Sequence, residues 1–252
     1  MAEQLHKLLL DDGGIVCFVG AGGKKTAIQR IAATHPGRIA VTATVFTTPL
    51  RDIGDDAVHL EAPSDDGDCV LPGEHANARC VCLIGTSAKK GRRSGLMPEA
   101  VAAFHRNGGF HATLVKADGA RMRPVKAPQP GEPVLPPGTA RVVALFSAEA
   151  LGRVLTDENA HRLERIRDVT GLELNEPFGP KHAVRLLTSE DGLFRGAAGG
   201  TTLVPVINQV EGAERLAAAT RAAEEALAAT TRFRQVVLTA LHASDPVVRV
   251  IS

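Results

Sequence analysis

The chain has 252 residues, 44% of them apolar, and a formal net charge of +1. That length suits one large α/β domain or two small ones and can bury a sizeable core. The near-neutral balance asks for neither nucleic acid nor an anionic membrane surface. With no Trp, no Tyr and eight Phe, the chain also lacks a platform for stacking bases.

The first twelve residues hold one apolar triplet, Leu8-Leu9-Leu10, flanked by acids, too short and too acidic for a signal peptide. No apolar run approaches the roughly 18 residues of a membrane span. Cys17, Cys69, Cys80 and Cys82 form no C-x-x-C pair and lack zinc spacing, so they read as core thiols of a reduced, cytoplasmic protein.

In chain order, residues 4–10 predict a short helix with Leu5, Leu8 and Leu9 on one face, and residues 15–19 a strand. A glycine loop leads into a helix over 24–34, striped by Ile28, Ile31 and Ala32 and ended by His35-Pro36-Gly37. A strand over 39–44 completes a βαβ unit. Residues 51–75 are rich in Asp, Gly and Pro and read as an irregular excursion with a short strand at 57–60. A strand follows at 79–84, then a basic loop over 87–94. Pro98 opens a helix that Gly108-Gly109 stops.

The next strand, 112–117, runs into Asp118-Gly119. Residues 124–138 contain six prolines and predict an extended, stiffened loop. After a strand at 141–146, Ser147 can cap a helix. Further helices are expected over 158–169 and 180–188. Pro205 within the strand 202–207 argues for an edge position or a short strand. A long Ala-rich helix over 211–230 and strands near 235–240 and 247–251 close the chain. The alternation predicts an α/β fold: a P-loop-NTPase-like, mostly parallel sheet with helices on both faces. It is read as a single domain over 1–252, with a small helical subdomain over 147–195.

Chemistry concentrates at Gly20-Ala21-Gly22-Gly23-Lys24-Lys25-Thr26, directly after the first strand. Glycines let backbone N–H groups approach an anion, the helix N-terminus adds partial positive charge, and Lys24 can reach outer phosphates. Alone, the segment reads equally as a tight turn with solvated lysines; its place at the head of a βαβ unit favours a nucleotide site. The loop is shorter than the full Walker signature G-x-x-x-x-G-K-[ST], and Lys25 stands where a magnesium-binding hydroxyl would follow.

The second element is Leu114-Val115-Lys116-Ala117-Asp118-Gly119. An apolar strand ending in Asp resembles a Walker B carboxylate, on the ligand side of the sheet, where Asp118 could hold magnesium directly or through water. Thr26 is the other candidate metal ligand, and Lys24 with Asp118 forms the candidate catalytic pair. Arg121, Arg123 and Lys126, held by prolines, form a third element able to clamp an anion; a solvated basic loop is the alternative. Thr44 can touch phosphate from the end of the second strand. Asn208, in Asn208-Gln209-Val210-Glu211, occupies the place of the base-reading Asn-Lys-x-Asp of GTP-binding proteins, with two changes.

Together these segments resemble the YqeC family of selenium-dependent hydroxylase accessory proteins. The resemblance rests on Val19-Gly20-Ala21-Gly22-Gly23-Lys24, Thr42-Ala43-Thr44, Lys116-Ala117-Asp118-Gly119, Arg123-Pro124-Val125-Lys126-Ala127-Pro128, Gly131-Glu132-Pro133-Val134-Leu135-Pro136, Ala160-His161-Arg162 and Ile207-Asn208-Gln209. The loop is also similar to the Gly-Thr-x-Gly-Lys-Thr of the ATP-binding Mur ligases. The resemblance implies a P-loop-type fold, bound ATP or GTP with magnesium as a candidate ion, and a protein partner: a molybdenum hydroxylase or one of its maturation factors.

Four departures stand out. Lys25 replaces Thr, Lys116 replaces the Glu before Ala-Asp-Gly, Gly131 replaces His and Gln209 replaces Lys. Two of them put positive charge where magnesium would sit, which predicts less dependence on magnesium and weak or no hydrolysis. A small-molecule kinase or ligase, and a non-enzymatic nucleotide- or cofactor-binding module, are the competing readings.

Overall fold

The computed structural model describes residues 2–62, 71–87 and 90–252. Its first half runs α1 (Ala2–Leu9), β1 (Gly14–Gly20), α2 (Lys24–Thr34), β2 (Ile39–Ala43), β3 (Val58–Ala62), β4 (Cys80–Gly85), α3 (Pro98–Gly108) and β5 (Ala112–Lys116). Its second half runs β6 (Val125–Lys126), β7 (Thr139–Ser147), β8 (Ala160–His161), α4 (Leu163–Thr170), α5 (Pro180–Thr188), β9 (Thr202–Asn208), α6 (Gly212–Ala229), β10 (Val236–Thr239) and β11 (Val247–Ile251). Nine strands form one sheet in the order β11-β10-β9-β7-β1-β5-β2-β4-β3. Every neighbouring pair is parallel except β10 with β11. This is the expected α/β architecture, a mostly parallel sheet.

Alternation along β1 explains the layering. Ile15, Cys17 and Val19 point into one buried cluster, shared with Val101 and Phe104 of α3, Ile166 of α4, Leu186 of α5 and Ala222 of α6. Val16 and Phe18 point into the other, with Leu5 and Leu9 of α1 and Ile28 and Ile31 of α2. Helices therefore cover both faces, and each large apolar side chain so buried contributes about 1.5–3 kcal/mol. Buried Ala219, Ala222, Ala223 and Ala226 lie on one face of α6. Their small size lets that helix pack closely.

β1 lies between β5 and β7. The strands that follow it in sequence, β2 to β5, lie on one side, and β7, β9, β10 and β11 lie on the other. Strand order thus reverses at β1. Parallel sheets open a ligand crevice at such a point, beyond the carboxyl ends of the strands, because the outgoing loops diverge to opposite faces.

Several local expectations change. Pro205 is not at an edge: β9 sits between β7 and β10, with Ala144 opposite Pro205. The pairing with β10 begins only at Val206, so the missing N–H interrupts no pair there. The helix expected from 158 starts at Leu163. Before it, Asn159 and Ala160 turn back onto the Thr156 carbonyl, and Ala160–His161 pairs in parallel with Val125–Lys126. That pairing also places a short strand inside the proline-rich loop, between Pro124 and Pro128. Ser147 does cap, its Oγ accepting the Glu149 N–H at 3.0 Å, but only one 3₁₀ turn follows.

Cys17, Cys80 and Cys82 are free and buried. Burial pushes the Cys17 and Cys82 thiols up to about 12 and the Cys80 thiol up to about 11. Residues 63–70 of the excursion expected over 51–75, Cys69 among them, and residues 88–89 of the expected basic loop lie outside the described residues. Among the described residues, no helix is long and apolar enough to cross a membrane.

Candidate functional site

The β1–α2 loop sits at the reversal point. Gly20, Gly22 and Gly23 have φ of 87°, 69° and 132°, a region that only glycine adopts without strain. Packing enforces the same choice. A Cβ on Gly20 would lie 2.1 Å from the Leu145 carbonyl oxygen, and one on Gly22 would lie 2.6 Å from the Ser147 nitrogen. The loop is therefore pressed against the end of β7. Asn208 braces it from β9: its Nδ2 donates to the Gly22 carbonyl at 2.7 Å, while its Oδ1 accepts from Thr239 Oγ1 and the Leu241 N–H.

Held this way, the loop exposes donors. The first intrahelical bond of α2 runs from Ala27 N–H to the Gly23 carbonyl at 2.9 Å. Among the described residues, the five consecutive N–H groups of Gly22, Gly23, Lys24, Lys25 and Thr26 have no protein acceptor. No side chain caps the helix and no acid stands in its first turn, which carries two lysines instead. Open backbone donors at a positive helix end are the features an anion site requires.

Beneath the loop lies a buried ion cluster. Asp118 is 1% exposed; its Oδ1 lies 2.9 Å from Lys24 Nζ, and its Oδ2 accepts the Gly20 N–H at 2.8 Å. Lys24 also donates to the Gly20 carbonyl. Lys126, completely buried, reaches Asp118 Oδ2 at 3.0 Å, Glu132 Oε2 at 2.7 Å and the Gly119 carbonyl at 2.9 Å. Arg162 grips Glu132 with both terminal nitrogens, NH2 donating to Oε1 at 2.8 Å. Lys116 Nζ donates to the Asp118 carbonyl at 2.9 Å.

The electrostatics follow from this packing. Burial alone would raise the Asp118 carboxyl, but the Lys24 and Lys126 charges and the Gly20 N–H hold it below the ordinary carboxylate range. Burial likewise opposes the Glu132 charge, yet hydrogen bonds from Arg162 and Lys126 hold it down at about 2. Burial lowers the Lys24 ammonium in spite of Asp118. Lys116 falls to about 8, through burial first and then the Lys24 charge.

The expected site residues divide into groups. Gly20, Ala21, Gly22, Gly23, Lys24 and Asp118 come together at the loop, with Asn208 as its brace. Thr26 is the third residue of α2, half-buried, with no side-chain bond to Asp118. Lys25 turns away, donating to Thr48 Oγ1 at 2.9 Å and the Pro49 carbonyl at 3.2 Å. Thr44 Oγ1 donates to the Val134 carbonyl at 2.7 Å, tying the end of β2 to the proline-rich loop. The three cations expected as one clamp separate. Lys126 points inward, whereas Arg121 is exposed and Arg123 half-buried on a surface turn, where Arg123 N–H meets the Ala120 carbonyl.

Lys116 enters the sequence reading only as a departure from the family pattern, and Glu132 and Arg162 escape a reading by local motif. Each stands inside a segment that carries the family resemblance, which is the one signal that could have found them.

The model of a family described as "YqeC protein" matches residues 16–164, a span that includes the loop and every charged member of the cluster. A protein of Escherichia coli (strain K12) described as "Uncharacterized protein YqeC" is 27% identical over 202 residues, 77% of this chain and 75% of that one. No solved structure matches. With more than half of its length matched, loop and ion cluster included, the chain belongs to the YqeC family.

Proposed function

We propose that this chain binds a nucleoside triphosphate, ATP or GTP, in the β1–α2 loop. One observation carries the reading: five consecutive N–H groups without a protein acceptor stand at the strand-order reversal, directly above the buried Lys24–Asp118 pair. The N–H groups of Gly22 to Thr26 cradle the phosphates. Lys24 leaves the Gly20 carbonyl to reach the outer ones, and Asp118 holds the loop through the Gly20 N–H. Arg121 and Arg123, on the surface turn, are available to the remainder of the ligand.

Hydrolysis is weak or absent in this reading. A carboxylate serving as general base must be able to take a proton near neutral pH. Asp118 and Glu132 are both clamped by cations that hold them well below that range. The protein therefore acts as a nucleotide-binding accessory factor rather than a fast NTPase. The family resemblance of the sequence supports a setting in the maturation of selenium-dependent molybdenum hydroxylases, with the hydroxylase or a maturation factor as protein partner.

The test is thermal denaturation with ATP or GTP, with and without magnesium. Ligand at a hundred times its dissociation constant adds about 2.7 kcal/mol, a rise of several degrees for a chain of this size. The rise disappears in Lys24→Ala. If no nucleotide raises the melting temperature, the reading fails.

A further inference from the structure

Magnesium is the ion that a phosphate loop with a strand-end aspartate ordinarily implies, and the residues here do not fit it. Magnesium asks for near-octahedral oxygen ligands at short range and binds through one or two carboxylates beside the phosphates. Both Asp118 oxygens already face cations: Oδ1 lies 2.9 Å from Lys24 Nζ in an ion pair, though it accepts no hydrogen bond, and Oδ2 meets Lys126 as well as the Gly20 N–H. The helix position after Lys24 offers no hydroxyl: Lys25 stands there, and its ammonium turns away to Thr48 Oγ1 and the Pro49 carbonyl. Thr26, one residue on, is turned about 100° around the helix. Around Asp118 and Glu132, four cationic side chains (Lys24, Lys116, Lys126 and Arg162) face two carboxylates.

Lys116 is the informative member. It ends β5, between Phe18 of β1 and Ala43 of β2. Strand alternation puts it on the same face as Leu114, which packs in the α2-side cluster. It is 8% exposed, its Nζ held by the Asp118 carbonyl. The ammonium thus lies on the α2 side of the sheet, repelled by the Lys24, Lys126 and Lys25 charges and attracted by the Asp118 carboxylate. No carboxylate is paired with it among the described residues. A buried cation with no carboxylate of its own at ion-pair distance, in a cluster where four cations face two carboxylates, favours a bound anion.

We propose that Lys116 supplies the positive charge that a divalent ion would otherwise bring, so that this chain takes its polyphosphate ligand free of metal. The inference rests on the nucleotide reading above and deepens it: the ligand is the metal-free triphosphate, and Lys116 is a binding residue for it.

Calorimetric titration with ATP and with GTP, once in EDTA and once in excess magnesium, tests both statements separately. The expected result is binding in EDTA at least as tight as in magnesium. Lys116→Glu should lose roughly tenfold or more of the metal-free affinity, the loss of one charge-assisted contact, and regain binding when magnesium is added. Lys116→Met should weaken binding under both conditions without creating a dependence on magnesium. Wild-type binding that requires magnesium overturns the proposal while leaving the nucleotide reading intact. Equal metal-free affinity in wild type and Lys116→Met also overturns it. Absence of binding by either nucleotide under both conditions removes the nucleotide reading and this inference with it. The wild-type measurement needs no variant, so it decides the point even if the substitutions impair folding.

Discussion

Helices α2 and α5 both begin after a glycine, yet their first turns are built for opposite purposes. At α5 the Gly179 N–H donates to His182 Nδ1 at 2.9 Å, and Pro180 removes one donor outright. His182 is buried, stacks on Phe178 and places Nε2 3.3 Å from Glu176. That end is closed within the protein. At α2 nothing caps, the first turn carries lysines, and five donors are open. A helix start normally gains about 0.5–2 kcal/mol from a capping side chain, and α2 forgoes it. Helices α3, α4 and α6 also lack a capping side chain; what sets α2 apart is the glycine loop before it and the buried ion cluster beside it.

The contrast can be broken most forcefully at Asp118. Asp118→Ala strands Lys24 and Lys126 in the interior, and loss of one partner from a buried pair costs about 3–5 kcal/mol. Thermal denaturation should register this as a fall on the order of 10 °C; a change of a degree or less would mean that the cluster does not hold the loop. Gly22→Ala comes next. Its backbone is left-handed, costing a non-glycine residue about 1–2 kcal/mol, and the new methyl would crowd Ser147 N at 2.6 Å. Nucleotide-induced stabilisation should fall further than the variant's own stability, because the displaced atoms are those beside the open donors.

The smallest effect sharpens the other side of the comparison. His182→Gln should cost about 1 kcal/mol and leave nucleotide-induced stabilisation unchanged. It also tests a pH dependence. Burial lowers the His182 imidazole below its ordinary 6.5, against the pull of Glu176. Below pH 6.5 the unfolded chain therefore binds the proton more readily than the folded one. Stability from this cap is complete above 6.5 and declines as pH falls toward the folded value. Melting temperatures across pH 7 to 4.5 should decline less steeply in His182→Gln than in the parent. Identical slopes would remove His182 as the neutral cap.

Legibility differed by residue for physical reasons. Gly20 to Lys24 and Asp118 could be read because each stands where a strand ends, and a parallel sheet gathers its strand ends on one side. Asn208 was placed at the right edge, but its role as a brace depends on Thr239, Leu241 and Gly22, which only folding brings near. Arg121, Arg123 and Lys126 looked alike along the chain. Left-handed backbone at Arg121 and Met122 and the β6–β8 pairing then sent Lys126 inward and left the arginines outside. Pro205 misled because the rule against proline in a central strand concerns a donor, and here the neighbouring ladder begins one residue later.

Periodicity, glycine placement and the strand–loop–lysine order determined the α/β class, the alternation of elements and the location of the glycine loop, since these depend on local geometry and near neighbours. The sheet order, the covering of both faces and the partners of each buried charge were decided only in three dimensions. A lysine's fate depends on which carboxylates lie within a few ångströms, and here those come from distant parts of the chain: Glu132 and Arg162 lie more than a hundred residues beyond the loop they help to hold.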